Sequence, residues 1–242
     1  MTLSINSQQQ FNMVNQSQSW FNVYDLDRRV YAIVEPYQTQ KVISYLIIGD
    51  NQAILLDTGM GIGNIKKLVF ELWSLYPIVI NSNACAGHSG GNYKFNNVKI
   101  LNEPKIIDTL TFGYDSSWVD KYYNKNTFMK DAPKKEINFE PCTFTTISDG
   151  VMYTLGNKDI EVIAPKDLQI NGLMLVDHSN KMLFTGDIFY QPVIDILDED
   201  TKTKYMEALK DIVNKYADYT WLFSHGTPID KKLQEELINI YK

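Results

Sequence analysis

Residues 78–92 read IVINSNACAGHSGGN, and no other stretch limits the fold as much. A β-branched run, Ile78 to Ile80, has the pattern of a buried strand. It ends in a loop of small residues, and Gly90-Gly91-Asn92 then turns the chain tightly into a helix. Such a strand-to-helix crossing belongs to a layered fold of strands and helices.

Strand signals crowd the chain before this crossing, at Val30–Val34, Val42–Ile48 and Ala53–Asp57, with Gly49-Asp50-Asn51-Gln52 as a hairpin turn. Gly59, Gly61 and Gly63 lead into a helix from about Asn64 to Leu75, whose Ile65, Leu68, Val69 and Leu72 follow three-four spacing. The second half repeats this grammar. Strands Val151–Leu155, Ile160–Ala164, Gly172–Asp177 and Met182–Thr185 precede a helix over about Thr201–Ala217, a short strand Thr220–Phe223 and a last amphipathic helix, Asp230–Tyr241. Two such halves predict two β-sheets packed face to face with helices outside, as one domain over 19–242. Residues 1–18, rich in Gln, Asn and Ser, read as a mobile polar arm. Residues 102–141 mix aromatics with Lys, Asp and Asn in weak helical spacing and suit a lid or covering segment.

Composition narrows the partners. A hydrophobic content of 44% with 12% aromatics supplies a core and argues against disorder. The net charge of −6, with no separate lysine-rich block, speaks against nucleic acid, which needs a basic stripe. Cys85 and Cys142 are too few for a disulfide scaffold. No signal-length apolar stretch opens the chain and no apolar run reaches the roughly 18 residues of a membrane span, so a soluble, cytoplasmic protein is expected. The sequence names no small-molecule ligand or protein partner, and leaves a homo-oligomer open.

Four motifs, LIIGDNQAILLDTGMG, IVINSNACAGHSGGN, LFTGDIFY and LFSHGTPI, fall in the order and spacing of the metallo-β-lactamase superfamily. The resemblance covers roughly residues 20–242 and implies an αββα sandwich, an α/β fold with its active site at one edge between the sheets. It also implies two zinc ions, or other transition metals, and hydrolysis of esters, amides, thioesters or phosphodiesters. Asp57, in LLDTG, resembles the family's supporting aspartate, which holds the metal loop.

The family's loop reads H-x-H-x-D-H. Aligned on Gly-Gly-Asn, this chain has Asn83, Cys85, Gly87 and His88 at those places. A later histidine ligand of the family aligns with Leu168, within a residue or two, and no histidine lies between His88 and His178. The bridging aspartate is present as Asp187 and the last histidine as His225. The first metal site thus keeps only Cys85 as a good ligand, and a dinuclear zinc centre is not expected. Of the second site, His88, Asp187 and His225 remain, a three-ligand face suited to one zinc, iron or manganese ion. Gly87 leaves out a carboxylate and is expected to leave room for water. Cys85 reads as a small buried residue rather than a nucleophile, and His178 as a solvated turn residue. The reading favoured is a non-hydrolytic pseudoenzyme or binding protein that has lost the dinuclear centre, with no metal or a single divalent one. The alternative is a mononuclear hydrolase of an ester-like or phosphodiester substrate using His88, Asp187 and His225.

Overall fold

The strand Ile43–Ile48 buries all six of its residues, ISYLII, because it carries a packed layer on each face. The computed structural model that contains it describes residues 3–5, 9–38, 40–112, 140–165, 172–195 and 197–241. Among the described residues, one sheet has nine strands in chain order. These are β1 (Leu3–Ile5), β2 (Gln9–Met13), β3 (Asn22–Asp25), β4 (Val30–Val34), β5 (Ile43–Ile48), β6 (Ala53–Leu56), β7 (Ile78–Ile80), β8 (Val98–Leu101) and β9 (Phe144–Ile147). The other has five: β10 (Met152–Thr154), β11 (Asp159–Ile163), β12 (Met174–Asp177), β13 (Met182–Phe184) and β14 (Thr220–Leu222).

Each sheet begins as an antiparallel meander and ends in parallel pairs. In the first, β6 pairs with β7 in parallel, matching Leu56 with Ile80. In the second, β13 pairs with β14 in parallel, matching Phe184 with Leu222. Parallel neighbours need a crossover, supplied by helix α1 (Ile65–Leu72) between β6 and β7. The short helices α2 (Ala86–Ser89) and α4 (Gln191–Ile194) lie in loops, and α3 (Pro104–Phe112) follows β8. Helix α5 (Glu199–Lys215) joins β13 to β14, and α6 (Lys231–Tyr241) closes the chain.

Alternation along the strands sorts the side chains into three cores. Ile43, Tyr45 and Ile47 of β5 face Ile160, Val162, Leu175 and Phe184 of the opposite sheet. Leu46 and Leu55 point the other way, against Ile65, Leu68 and Val69 of α1. On the far side Val176, Leu183 and Trp221 pack against Tyr205, Leu209 and Val213 of α5 and Leu237 of α6. This is the expected αββα sandwich. Caps fix the helix starts: Asn64 Oδ1 accepts from Lys67 N at 3.0 Å, and Asp198 Oδ1 from Thr201 N at 2.9 Å.

Three sequence expectations change. Within 1–18, expected as a mobile arm, Leu3–Ile5 and Gln9–Met13 form β1 and β2, and Phe11 reaches the core between the sheets. The alternation Phe11-Asn12-Met13 is strand-like, but its polar half resembles a loop. Of the lid expected over 102–141, residues 104–112 form α3, which buries Ile106 and Leu110; residues 113–139 lie outside the described residues. His178 is not merely solvated, since its Nε2 lies 2.7 Å from Glu161 Oε2. No helix among the described residues is long and apolar enough to cross a membrane.

Candidate metal centre

The four motifs all end in loops at the C-terminal ends of parallel strands, on one edge of the sandwich. Asp57 follows β6, Asn83 follows β7, Asp187 follows β13 and His225 follows β14. The glycine frame locks two of these loops together. A Cβ on Gly90 would lie 2.5 Å from the Met60 backbone, and one on Gly91 2.5 Å from Thr58 O. Asn92 completes the contact, accepting from Thr58 Oγ1 at 2.8 Å and donating to Asn81 Oδ1 at 2.6 Å.

Asp57 has a left-handed backbone, φ 65, unusual for a residue other than glycine. Its carboxylate is completely buried and explains the strain. Oδ1 accepts from Ser82 N at 2.7 Å, and Oδ2 accepts from Ser82 Oγ at 2.7 Å and from His88 Nδ1 at 2.7 Å. The last bond fixes the His88 tautomer, with its proton on Nδ1 and Nε2 turned inward. His225 is fixed the same way by a bond from Nδ1 to Gln40 O at 3.1 Å. Tyr190 stacks on the His225 ring, centroids 3.9 Å apart and planes 16° apart.

Both free nitrogens meet Asp187. Its Oδ1 lies 3.0 Å from His88 Nε2 and 2.8 Å from His225 Nε2, and the two Nε2 atoms are 3.4 Å apart. With both Nδ1 positions already donating, three acceptor atoms face one another. A cation must sit among them, either a proton or a metal ion. Burial alone would lower His88, but the Asp187 and Asp57 carboxylates outweigh it and hold the imidazole well above its usual value. Burial would raise Asp187; His88 and His225 instead hold it well below the usual carboxylate range.

The sequence candidates thus divide. His88, Asp187 and His225 converge, their ligand atoms within 4.8 Å of one another. Asp57 joins this group from behind, through its hydrogen bonds from Ser82 and His88. Asn83 contacts the group, but as a donor: its Nδ2 gives a hydrogen bond to Asp187 Oδ2 at 2.8 Å, while its Oδ1 accepts from Cys85 N at 2.7 Å. Cys85 is exposed, not buried, because it precedes α2 at the loop surface, and it does not join the His-Asp-His group. Desolvation by the surrounding protein still pushes its thiol up, with His88 opposing, so no reactive thiolate is favoured. Gly87 supplies no side chain to the group, and a Cβ there would lie 3.1 Å from Val42 Cγ2. Val42 is held in place by its β-bridge to His225. Leu168 lies outside the described residues.

Glu35 carries no motif and was missed. It is 1% exposed, accepts from Trp20 Nε1 at 2.9 Å and Met60 N at 3.1 Å, and tethers the loop after Asp57. Burial, only partly offset by those bonds, pushes it up to about 7. Beside His225 opens a cavity of about 410 Å³, walled by Phe189, Tyr190, Phe223 and Leu233, with Lys41 among its lining residues.

No protein-family model matches the sequence. Acyl-coenzyme A thioesterase MBLAC2 of Bos taurus is 23% identical over 197 residues, 71% of this chain and 68% of that protein. The DIM-1 metallo-β-lactamase superposes with a TM-score of 0.59 at 11% identity, covering 93% of this chain and 98% of that one. A metallo-β-lactamase from Pontibacter korlensis gives 0.58 at 14% identity, covering 91% and 98%. An archaeal superfamily protein from Sulfolobus tokodaii gives 0.57 at 15% identity, covering 87% and 85%. These likenesses establish the metallo-β-lactamase fold.

Proposed function

We propose that this protein of the metallo-β-lactamase superfamily is a hydrolase of ester or thioester bonds that works with one divalent metal ion held by His88, Asp187 and His225. The observation that carries it is the convergence of three acceptor atoms whose histidines are both anchored through Nδ1. That anchoring is how metal-binding histidines are oriented, and here it leaves both Nε2 atoms turned toward one oxygen of Asp187.

The donor set favours one ion. His88 Nε2, Asp187 Oδ1 and His225 Nε2, 2.8–3.4 Å from one another, would hold it. Among the described residues no second group of this kind is found, and Asp187 Oδ2 already accepts from the Asn83 amide. Zinc, iron and manganese all suit two imidazoles and a carboxylate.

When bound, such an ion lowers the pKa of a coordinated water towards neutrality and polarises the carbonyl under attack. The protein's part is positional. Asp57 and the Gln40 carbonyl fix the two imidazoles, Asn83 fixes the rotation of Asp187, and Tyr190 covers one face of His225. The thioesterase relative supports an acyl ester or thioester as the substrate class.

The test is elemental analysis of protein purified without chelator or a metal-binding tag, followed by assays on acyl esters and thioesters. About one metal per chain, lost in His88→Ala and His225→Ala together with turnover, supports the proposal. Absence of metal after dialysis against zinc, iron and manganese overturns it. That outcome favours the second reading, a non-hydrolytic binding protein, which the glycine at position 87 supports because it brings no carboxylate to the group.

A further inference from the structure

The cavity beside His225 is not used by the chemistry above. Its volume of about 410 Å³ falls within the roughly 300–1,000 Å³ of small-molecule sites. His225, one of the three residues proposed to hold the metal, and Gly186, next to Asp187, both line it, so the cavity adjoins that group. Phe189 and Tyr190 follow β13, Phe223 follows β14, and Leu233 projects from α6, so three separate elements supply an apolar wall. Among the described residues no carboxylate lines it, and Lys41 brings the one ammonium.

We propose that this cavity seats the straight aliphatic chain of an acyl substrate, with the acyl carbonyl at the His225 end. The proposal rests on the hydrolase reading and names its substrate class. Gln40, Gln191 and Ser224 also line the cavity, but a sugar or peptide would still set polar groups against Phe189, Phe223 and Leu233, at a cost for each left unpaired. An aromatic acid is less suited, because the aromatic faces are already engaged. Tyr190 stacks on His225 at 3.9 Å, and Phe189 packs on Trp221 at 4.8 Å. An alkyl chain needs no free ring face, only contact area. In the reaction, water adds across the acyl–oxygen or acyl–sulfur bond. The chain leaves as a carboxylic acid, and the alcohol or thiol takes the proton. The product acid is therefore a direct probe of the cavity.

The experiment is calorimetric titration of the full chain, in chelator, with octanoate, acetate and benzoate, on wild type, Leu233→Trp and Leu233→Ala. Octanoate is expected to bind at least about tenfold more tightly than acetate or benzoate, as burial of several methylenes implies. Leu233→Trp, which would fill the cavity, should weaken octanoate at least about tenfold, with a circular dichroism spectrum like that of wild type showing that the fold is kept. Leu233→Ala, which enlarges it, should move the preference from octanoate to dodecanoate. Octanoate binding no tighter than acetate overturns the proposal, as does octanoate affinity unchanged in both variants. If the Trp variant does not fold, an unchanged chain-length preference in the Ala variant overturns it alone. Octanoate binding without turnover of any ester removes the hydrolase reading and keeps the chain seat. Equal kcat/KM on acetyl and octanoyl thioesters, without octanoate binding, removes the seat and keeps the hydrolase.

Discussion

Replacing Glu35 with glutamine should reverse its effect on stability between acid and alkaline solution. In the folded chain Glu35 is pushed up to about 7 from the ordinary carboxylate value of 4.5. A raised carboxylate favours the protonated form in the fold. Its contribution is fully present below about pH 4.5 and is lost as pH rises through about 7. The interval from 4.5 to about 7, at about 1.36 kcal/mol per pH unit, amounts to about 3 kcal/mol. Because the side chain is 1% exposed, solvent screening does not reduce this figure much. The substituted glutamine has no charge to lose, but its amide must turn an N–H toward either the Trp20 indole or the Met60 amide. That loses one buried hydrogen bond, a constant cost of about 1–2 kcal/mol.

The two effects oppose each other. At about pH 4 the variant should be less stable than wild type by about 1–2 kcal/mol, and at about pH 8 more stable by about 1–2 kcal/mol. Urea unfolding followed by tryptophan fluorescence reads this directly, since Trp20 is the partner. Chelator should be present throughout, so that metal binding does not add its own stabilisation. His88 is also raised, so its contribution too is lost as pH climbs above its unfolded value near 6.5. The difference between variant and wild type is therefore the quantity to follow. Parallel stability curves, with no crossing, would refute the assignment of Glu35 as a buried acid that ionises only near neutrality.

Asp57→Asn leaves the shape but offers the His88 imidazole a weaker acceptor; metal affinity should fall about 10- to 100-fold by competition with a chromophoric chelator. Asn83→Ala removes the amide from Asp187 Oδ2 and the acceptor from Cys85 N; metal-free protein should lose about 1–3 kcal/mol in urea unfolding, with metal stoichiometry unchanged. Gly90→Ala would place a Cβ 2.5 Å from the Met60 backbone, so the expected result is a variant destabilised by at least about 3 kcal/mol or recovered insoluble, read as melting temperature or soluble yield.

The two-sheet order was legible because it rests on local grammar, whereas the helix expected after Gly90-Gly91-Asn92 is only the 3-10 turn Asn92–Lys94, and the short helix α2 comes before the glycines. Gly90 and Gly91 are marked by the sequence, and the structure supplies the reason, which is backbone contact with Met60 and Thr58. The trio His88, Asp187 and His225 was legible for a different reason: each sits in a motif whose spacing survives. What was hidden depends on contacts between residues far apart in the chain. Asn83 looks like a weak ligand until its amide is seen on Asp187, 104 residues away. Gly87 looks like a bare gap until Val42 is seen beside it, its Cγ2 3.1 Å from where a Cβ would stand. Glu35 has no motif at all, and only its burial beside Trp20 and Met60 marks it. Strands β2 and β3 were missed because their polar residues imitate a loop while single apolar ones, such as Phe11 and Val23, reach the cores.

The division of Asp187 between its two oxygens explains how the proposed centre would differ from a dinuclear one. Oδ1 faces two imidazole nitrogens whose protons are committed elsewhere, so it is the pole at which a cation gathers. Oδ2 is satisfied by a neutral amide, which brings no charge and fixes the carboxylate plane. An imidazole at position 83 would be a ligand competing for a metal; an amide there is a donor, and it needs an anion such as Asp187 as its acceptor. The exchange of ligand for donor therefore keeps Asp187 ionised and oriented with one cation instead of two. On the proposed reading, a proton holds the group together when the metal is absent, and the ion displaces that proton when it enters. Metal affinity should then weaken as pH falls, because His88 holds its proton more firmly than an ordinary imidazole does.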